Sequence, residues 1–253
     1  MLKIILSGCQ GHMGQVITKL VKEQEDTVIV AGVDLQTTPA SDYPIYTSFQ
    51  DIQEDADVII DFSHPSVLEN LLSYSQENKI PAVIATTGLS CCQVDTIKKA
   101  AETVALFYSG NMSLGINLLA ALVKKAAQIL GDRADIEIVE AHHNQKIDAP
   151  SGTANMLLDA AIEGRDKEMI PVYDRHSRRQ KRDAAEIGMH SIRGGTIVGE
   201  HQVIFAGKDE VVTLSHSAHS KEVFAVGAVK AAVFLANKPP RLYDMTDVVS
   251  EPK

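Results

Sequence analysis

The feature that most constrains the fold is an alternation of short apolar runs with amphipathic helical patterns in the N-terminal part of the chain. The runs are rich in β-branched residues and lack in–out alternation, which is typical of parallel strands covered on both faces. They extend over Lys3–Ser7, Thr27–Val33, Asp57–Phe62, Pro81–Thr87 and Val104–Ser109. Between them, apolar residues recur on one face of each predicted helix. This repetition predicts an α/β fold with a Rossmann-type, doubly wound parallel sheet.

A different rhythm follows from residue 112 onward. A long helix is predicted at Ile116–Leu130, then a strand at Asp135–Ala141, a loop, and a helix at Ser151–Glu163. Three strand-like runs come next without helices between them, at Gly188–Gly194, Thr196–Gly207 and Glu210–Ala218. Consecutive strands of this kind favour an antiparallel or mixed sheet. We therefore predict a second, α+β domain with a mixed sheet.

The last predicted helix, Lys221–Asn237, is apolar over most of its surface, which indicates deep burial or an interface. We expect it to pack back on the first domain. The predicted division is therefore one domain formed by residues 1–111 with 221–253, and another formed by residues 112–220.

The charge balance argues against nucleic acid or an anionic membrane as the main partner. The chain has 253 residues, 45% of them hydrophobic, and a formal net charge of −9 at pH 7, whereas such partners reward an excess of Lys and Arg. The basic cluster Arg175–Arg182 is interpreted as a solvated loop rather than a binding patch.

Cysteine usage and hydropathy indicate the compartment. Cys9, Cys91 and Cys92 are too few and too poorly spaced for a disulfide framework, which fits a reducing environment. The N-terminus reaches glycines too early for a signal peptide, and no segment approaches the roughly twenty apolar residues that span a bilayer. We therefore predict a cytoplasmic protein without a membrane partner.

The first predicted strand runs into a glycine-rich turn formed by Gly8, Gly11 and Gly14, and a helical pattern follows. Glycines let the backbone approach a pyrophosphate, while the helix start offers free N–H groups and the positive end of its dipole. Asp34 ends the second strand, where a ribose hydroxyl of a dinucleotide would bind. A merely tight strand-to-helix turn is the alternative, since the spacing G-x-x-G-x-x-G is weakly specific.

Asp34 also bears on the choice of cofactor. A carboxylate repels a 2′-phosphate, and the following residues Leu35 and Gln36 supply no cation to offset this. NADH is therefore preferred over NADPH. Two later strand ends, Ala85–Gly88 and Ser109–Ser113, carry small polar residues that suit a nicotinamide and its ribose, or that form ordinary turns.

The stretch "EAHHNQKIDAPSGTA", from Glu140 to Ala154, is the second candidate site. Ser151 is suited to cap the following helix, and Gly152 and Thr153 then place bare N–H groups at its first turn, which makes an anion site. Lys146 and the adjacent histidines add cations and a group suited to proton transfer. The pattern predicts binding of a small dicarboxylate.

This loop has two alternative interpretations. Vicinal histidines can ligate zinc, but neighbours on one strand point to opposite faces, and the loop lacks a recognised Cys/His spacing. A metal is therefore not predicted. A purely structural loop that caps a helix has to account for one lysine and two histidines together.

These residues resemble a known family. The loop matches the pattern H-H-x-x-K-x-D-A-P-S-G-T of the 4-hydroxy-tetrahydrodipicolinate reductase (dihydrodipicolinate reductase) family at every fixed position. The resemblance continues through "GCQGHMG", "ATTG", "SGNMSLGIN", "SIRGGTIVGEH" and "LSHSAHSKEVFAVGAVKAA", in order along essentially the whole chain.

The resemblance implies a role for each matching residue. By it, His142 is the proton donor or acceptor, Lys146 the proton donor, and His143, Gly152 and Thr153 bind substrate. The implied cofactor contacts are Gly8, Cys9, Gln10, Gly11, His12, Met13, Asp34, Ala85, Thr86, Thr87, Ser109, Gly110, Asn111 and Met112.

The resemblance also implies the reaction and the assembly. NADH or NADPH reduces (2S,4S)-4-hydroxy-2,3,4,5-tetrahydrodipicolinate, a cyclic dicarboxylate, to tetrahydrodipicolinate with loss of water, in lysine biosynthesis through diaminopimelate. The implied organisation is a Rossmann domain for the dinucleotide and a mixed-sheet domain that binds substrate and forms a homotetramer.

Some positions depart from the family pattern. Gln10 and His12 stand where a glycine and a basic residue are frequent, Leu35 replaces a cation after Asp34, and Lys221 replaces an arginine. These differences bear on the phosphate contacts, the use of NADPH and a bidentate anion contact.

Rival functions are a dehydrogenase acting on another amino or keto acid and a non-catalytic nucleotide sensor. The proton-transfer residues of the loop disfavour the sensor. An acylating aldehyde dehydrogenase needs a nucleophilic cysteine, whereas Cys91 and Cys92 open a predicted helix away from the loop.

Overall fold

A computed structural model describes residues 1–37 and 41–250, so the end of the predicted segment 221–253 lies outside the described residues. The chain forms two compact units. Unit 1 comprises Met1–Ser113 together with the segment from Glu222 onward, and unit 2 comprises Leu114–Lys221.

The described residues contain strands and helices with the following bounds. The strands are β1 (Leu2–Ser7), β2 (Thr27–Val33), β3 (Ile45–Tyr46), β4 (Val58–Asp61), β5 (Ala82–Ile84), β6 (Leu106–Tyr108), β7 (Asp135–His142), β8 (Ile170–Val172), β9 (Glu186–Arg193), β10 (Gly199–Ala206), β11 (Val211–Ala218) and β12 (Leu242–Tyr243). The α-helices are α1 (His12–Lys22), α2 (Leu68–Asn78), α3 (Cys91–Ala100), α4 (Leu114–Leu130), α5 (Gly152–Glu163), α6 (Glu222–Leu235) and α7 (Met245–Ser250). Short 3-10 helices span Phe49–Asp51, Pro65–Val67 and Gly131–Arg133.

Unit 1 is built on a parallel sheet with the strand order β12-β6-β5-β4-β1-β2-β3. Strands β4 and β5 are buried at every position, because helices cover both faces of the sheet. The predicted Rossmann-type parallel sheet is confirmed.

Helix α6 packs on α1 and on strands β4, β5 and β6 of unit 1. It approaches so closely that a Cβ at Gly227 would lie 1.6 Å from the backbone oxygen of Met112. The glycine is therefore required by the close contact between the helix and the chain after β6.

Unit 2 is built on a mixed sheet with the order β11-β10-β7-β9-β8. β10 is antiparallel to both β11 and β7, whereas β7, β9 and β8 are parallel. Helices α4 and α5 pack together over this sheet, with Val123, Leu157, Ile138 and Phe205 in the shared core. The predicted mixed sheet is confirmed.

The core face of the mixed sheet changes character toward one end. On β7 the core-facing positions run Ile136, Ile138, Glu140 and His142, all of them buried. On β10 the apolar Phe205 and Val203 give way to His201, which pairs with Glu140 in the register. The polar end of the core face is therefore formed by neighbouring strands of the same sheet.

Several short elements escaped the sequence analysis: β3, β8, β12 and α7. Two of these strands have two residues and one has three, so none carries a recognisable periodicity. They lie at the edges of the two sheets, where pairing with a neighbouring strand defines them.

The basic cluster Arg175–Arg182 lies in a largely exposed loop, in agreement with the sequence interpretation, and three of its arginines form ion pairs. Arg175 and Arg178 both bind the carboxylate of Glu186, at 2.6 and 3.2 Å. Arg182 binds Asp135 at 2.7 Å and Glu137 at 3.0 Å. Acidic side chains on the mixed sheet thus pair with three of the cations in the cluster.

One helical segment of the described chain, Leu114–Arg133, is long and apolar enough to cross a membrane by length and composition alone. The expectation that no segment approaches this length is therefore wrong. Ile116, Leu119 and Val123 of this segment are buried in the core of unit 2, and Lys124 pairs with Glu163 of α5. These are the contacts of a core helix.

The close approach of α6 yields a prediction. We expect Gly227→Ala to lower the free energy of unfolding by at least about 2 kcal/mol, because the added methyl group meets backbone that cannot rotate away. The adjacent, partly exposed Val226 supplies the control, and Val226→Ala should cost less than about 1 kcal/mol. Urea unfolding measures both, and equal losses would contradict the packing described for Gly227.

Candidate functional site

The carboxyl edge of the parallel sheet gathers the segments predicted to bind a dinucleotide. The glycine turn follows β1, Asp34 follows β2, Ala85–Thr87 follows β5 and Ser109–Met112 follows β6. These strands and β4 are neighbours in the order β6-β5-β4-β1-β2, and all are parallel. Their ends therefore converge where open α/β sheets bind ligands.

The glycine turn is held by close backbone contacts. Gly8 has a φ of 75°, and a Cβ there would lie 2.5 Å from the backbone oxygen of Phe62. A Cβ at Gly14 would lie 2.2 Å from the backbone oxygen of Gly8. Gly11 is the N-cap of α1 and has no side chain that could cap the helix. The helix start therefore presents its backbone N–H groups.

The Asp34 carboxylate is fixed by two backbone donors. Its Oδ2 accepts from the Gln10 amide at 2.8 Å, and its Oδ1 accepts from the Leu35 amide at 2.8 Å. Asp34, Gly8 and Gly11 line a cavity of about 460 Å³. The lining also includes Ser63 and His64, which follow β4.

The cavity has a lining that differs from the predicted contact set. It includes Gly8, Gly11 and Asp34 and leaves out the other predicted cofactor residues.

The Cys9 side chain is buried toward Gly32 and Tyr43. Burial and the nearby Asp34 carboxylate raise the pKa of the Cys9 thiol to about 11, so it is not a thiolate nucleophile.

Asp61, at the end of β4, is a site residue that the sequence analysis missed. Its carboxyl group is buried and accepts hydrogen bonds from the hydroxyls of Thr86 at 2.6 Å and Ser63 at 2.5 Å. The Ser63 amide in turn donates to the Thr86 hydroxyl at 3.0 Å. Burial raises the pKa of Asp61, with these hydrogen bonds acting in the opposite direction. Asp61 thereby ties the ends of β4 and β5 together.

In unit 2, the buried carboxylate of Glu140 lies beneath the loop that follows β7. Arg193 donates to it through both terminal nitrogens, at 2.8 and 2.7 Å, and the amide of Ser151 donates at 3.2 Å. Burial raises the pKa of Glu140, but hydrogen bonds from Arg193, Ser191 and His142 outweigh this and lower it to about 2. Glu140 is therefore an anion at neutral pH.

The His142 ring is oriented by this anion. Its Nδ1 lies 2.6 Å from Glu140 Oε2, so the Nδ1 proton points at the carboxylate and Nε2 is the other exchangeable position. A Cβ at Gly199 would lie 3.2 Å from His142 Nε2, so the glycine leaves space beside that atom. The geometry suits proton transfer at Nε2.

The remaining loop residues lie at the same end of the sheet. The Lys146 ammonium binds Asp148 Oδ1 at 2.8 Å, which lowers the pKa of Asp148. The Lys146 amide donates to the backbone oxygen of His143 at 3.1 Å. Arg193 also donates to the backbone oxygen of Asp148 at 2.6 Å, which connects the Lys146 segment to Glu140.

The start of α5 confirms the predicted cap. The Ser151 hydroxyl accepts from the Ala154 amide at 3.1 Å, and Gly152 and Thr153 form the first turn. No atom would lie within 4 Å of a Cβ at Gly152, so the backbone there is accessible to a ligand. The helix start therefore suits a carboxylate.

His201 completes the cluster and was also missed. Its Nε2 lies 3.1 Å from the Ser151 hydroxyl, and its ring meets that of His142 edge to face with centroids 5.1 Å apart. Burial, and then the proximity of His142, lower the pKa of His201 to about 4, so it is neutral at physiological pH. It supports the cap as an uncharged hydrogen-bonding group.

The described residues contain no group of three or more His, Cys, Asp or Glu side chains arranged to hold a metal ion. Glu140, His142 and Arg193 are instead joined by hydrogen bonds. The period-two alternation of β7, which puts Glu140 and His142 on one face, was the signal that could have identified Glu140. Arg193 carried no such signal, because its contact depends on the pairing of β7 with β9.

The depressed pKa of His201 predicts a pH dependence of stability. The folded-state pKa of about 4 lies below the ordinary value of 6.5. The stability that His201 contributes as a neutral imidazole is therefore complete above pH 6.5 and is lost as the pH falls toward 4. Relative to His201→Gln, the wild type should lose about 3 kcal/mol of unfolding free energy over this interval.

Denaturant unfolding between pH 7 and pH 4 measures this difference. A constant gap between wild type and His201→Gln across the interval would contradict the assignment of a buried neutral imidazole.

Comparison with protein families relates this geometry to known proteins. The family model described as "Dihydrodipicolinate reductase, N-terminus" matches residues 2–112, and the model described as "Dihydrodipicolinate reductase, C-terminus" matches residues 115–249. Together they span nearly the whole chain.

Individual relatives agree with the family models. The 4-hydroxy-tetrahydrodipicolinate reductase of Caldanaerobacter subterraneus subsp. tengcongensis is 51% identical over 251 residues, covering 99% of each chain. The same enzyme of Clostridium novyi is 47% identical, covering 98% of each. The dipicolinate-bound dihydrodipicolinate reductase of Paenisporosarcina sp. TG-14 shares the fold, with a TM-score of 0.81 at 24% identity and coverage of 96% and 97%. The chain belongs to the dihydrodipicolinate reductase family.

Proposed function

We propose that this chain reduces (2S,4S)-4-hydroxy-2,3,4,5-tetrahydrodipicolinate to tetrahydrodipicolinate, with loss of water, in the diaminopimelate route to lysine. The observation that carries the proposal is the polar end of unit 2. There the Lys146 ammonium, the His142 imidazole and the open start of α5 lie at one end of the mixed sheet. Membership of the family supports the same reaction.

Unit 1 has the features required to bind a nicotinamide dinucleotide. The uncapped start of α1 suits the pyrophosphate, and the cavity beside Asp34 suits a ribose. When bound, the reduced nicotinamide would supply the hydride for the reduction. The proposed contacts are Gly8, Cys9, Gln10, Gly11, His12, Met13, Asp34, Ala85, Thr86, Thr87, Ser109, Gly110, Asn111 and Met112.

Within this proposal NADH is the preferred cofactor. The Asp34 carboxylate is an anion held by two backbone amides, so it cannot easily move away from a 2′-phosphate. Leu35 is 89% exposed and offers no charge to compensate. Electrostatic repulsion therefore disfavours NADPH, while a ribose with a free 2′-hydroxyl can donate to the carboxylate.

The proposed substrate site uses the loop after β7. The backbone N–H groups of Gly152 and Thr153 at the start of α5 suit one carboxylate of the cyclic substrate, and His143 adds a further donor. Lys146 supplies positive charge for an anion with two carboxylates. This combination of positive charge and hydrogen-bond donors suits a small cyclic dicarboxylate.

His142 and Lys146 are the proposed proton-transfer residues. Hydride addition develops negative charge toward the ring nitrogen and its carboxylate, and a nearby donor stabilises that charge by a few kcal/mol. The Lys146 ammonium is a donor by its chemistry. His142 either gives or takes a proton at Nε2, since Glu140 occupies Nδ1.

We further propose a homotetramer in the cytoplasm, with residues 1–111 and 221–253 as the dinucleotide-binding domain and residues 112–220 as the substrate and assembly domain. The mixed sheet supports assembly, because β10 alternates buried with exposed residues and Ile192 and Val211 are 52% and 63% exposed. The three free cysteines are compatible with a reducing compartment.

The reaction is tested by a coupled assay. NADH should be oxidised when the product of the preceding synthase reaction is added, and it should stay reduced without that product. NADPH, tested in parallel, should give a lower kcat/KM. Oxidation of NADH with other keto or amino acids, and none with the synthase product, would reject the proposed substrate.

Lys146→Ala is the matched test of the site. It should bind NADH with unchanged affinity, measured by cofactor fluorescence, and lose turnover by about 10²- to 10⁴-fold, because the proton donor is gone. Turnover within a few-fold of wild type would reject the role of Lys146.

The assembly is tested by light scattering of the purified chain. The measured mass should be about four times the 27.4 kDa of one chain. A monomer at micromolar concentration would overturn the proposed tetramer and leave the proposed reaction unaffected.

A further inference from the structure

The buried ion pair between Glu140 and Arg193 contacts both ends of the loop that follows β7, and Asp148 within it. Glu140 is 1% exposed and receives two hydrogen bonds from the Arg193 guanidinium. It also contacts the His142 ring at 2.6 Å and the Ser151 amide at 3.2 Å, and the Ser191 side chain hydrogen-bonds to it. Arg193 adds the backbone oxygen of Asp148 at 2.6 Å.

Each of these contacts fixes one component of the loop. The bond from His142 Nδ1 defines which ring nitrogen is available for proton exchange. The bond from the Ser151 amide holds the residue that caps α5, and with it the turn that contains Gly152 and Thr153. The bond to the Asp148 backbone fixes the segment whose carboxylate binds the Lys146 ammonium.

Stability alone does not account for such a pair. Removing two charges from water carries a large desolvation cost, and apolar side chains of similar volume often stabilise a fold equally well. The core-facing positions before Glu140 on β7 are Ile136 and Ile138, so an apolar continuation would suit the helix-covered sheet. The charges are explained by the groups they orient.

We propose that Glu140 and Arg193 are positioning residues for the proposed reduction: the bidentate pair fixes the His142 ring, the start of α5 and the Lys146 segment in one arrangement. The proposal rests on the proposed function of unit 2. Neither residue is required to touch substrate or cofactor, since each acts through the groups it binds.

The same strand provides a matched control. Glu137 lies three positions before Glu140 on β7 and also binds an arginine and a histidine, Arg182 at 3.0 Å and His190 at 2.8 Å. Its side chain is 24% exposed, and its partners hold none of the loop residues. Glu137→Gln therefore removes a comparable charge from the same strand while leaving the loop contacts intact.

The experiment compares Glu140→Gln and Glu137→Gln in the full chain. For Glu140→Gln we expect kcat to fall by about 10²-fold, because an amide has only one acceptor oxygen and its NH2 group would face an N–H donor of Arg193 in either orientation. NADH affinity should be unchanged, while dipicolinate, measured by calorimetry with NADH present, should bind at least about tenfold more weakly. Glu137→Gln should stay within about twofold of wild type in all three quantities.

The two ligand affinities separate positioning from general destabilisation. A destabilised fold would weaken the binding of NADH and of dipicolinate alike, whereas a loss of positioning in unit 2 weakens the binding of dipicolinate only. A Glu140→Gln enzyme with wild-type kcat and dipicolinate affinity would overturn the proposal.

Arg193→Lys is the second variant, in case Glu140→Gln fails to fold. It keeps the charge and loses the bidentate geometry and the bond to Asp148, so kcat and dipicolinate affinity should both fall while NADH affinity is kept. Wild-type values in a folded Arg193→Lys protein would reject the role of the guanidinium. Calorimetry requires no turnover, so the dipicolinate affinities decide the positioning role even if the wild type fails to reduce the synthase product.

Discussion

A buried carboxylate with a bidentate arginine determines the arrangement of the loop in unit 2. Glu140 binds Arg193, His142 and the Ser151 amide at once, so two strands, a loop and a helix start converge on one pair of oxygen atoms. An apolar residue there would leave the Arg193 guanidinium without a carboxylate partner and His142 Nδ1 without its acceptor. The negative charge of Glu140 thus fixes the positions of the groups that bind it.

In unit 1, the topology of the parallel sheet brings residues together that are distant in the chain. Parallel strands end on the same edge, so Asp34, Asp61 and Thr86, which are far apart in the chain, meet at one edge of the sheet. The glycine turn then leaves the start of α1 open, because Gly8 and Gly14 permit backbone contacts that a Cβ would block. Polar strand ends and an open helix start are the features that suit a dinucleotide.

Much of this organisation was predictable from the sequence, for identifiable reasons. Buried strands such as Thr27–Val33 are read directly from their apolar runs, and the Ser151 cap follows from the order of residue types before an apolar helix. The edge strands β3, β8 and β12 were missed because two or three residues carry no periodicity. The ion pairs of the basic cluster were not predictable, because its acidic partners lie on strands distant in sequence, as with Arg182 and Asp135.

The order of amino acids is enough to predict the class of fold, the positions of the glycine turn and the loop, and the residue types available for chemistry. Hydrophobic periodicity and turn residues are local, so they can be recognised along the chain. Three properties required the folded chain: Arg193 meets Glu140, His201 is buried and neutral, and the Cys9 thiol faces the core. Strand pairing and burial set these properties, and both depend on residues that are remote in sequence.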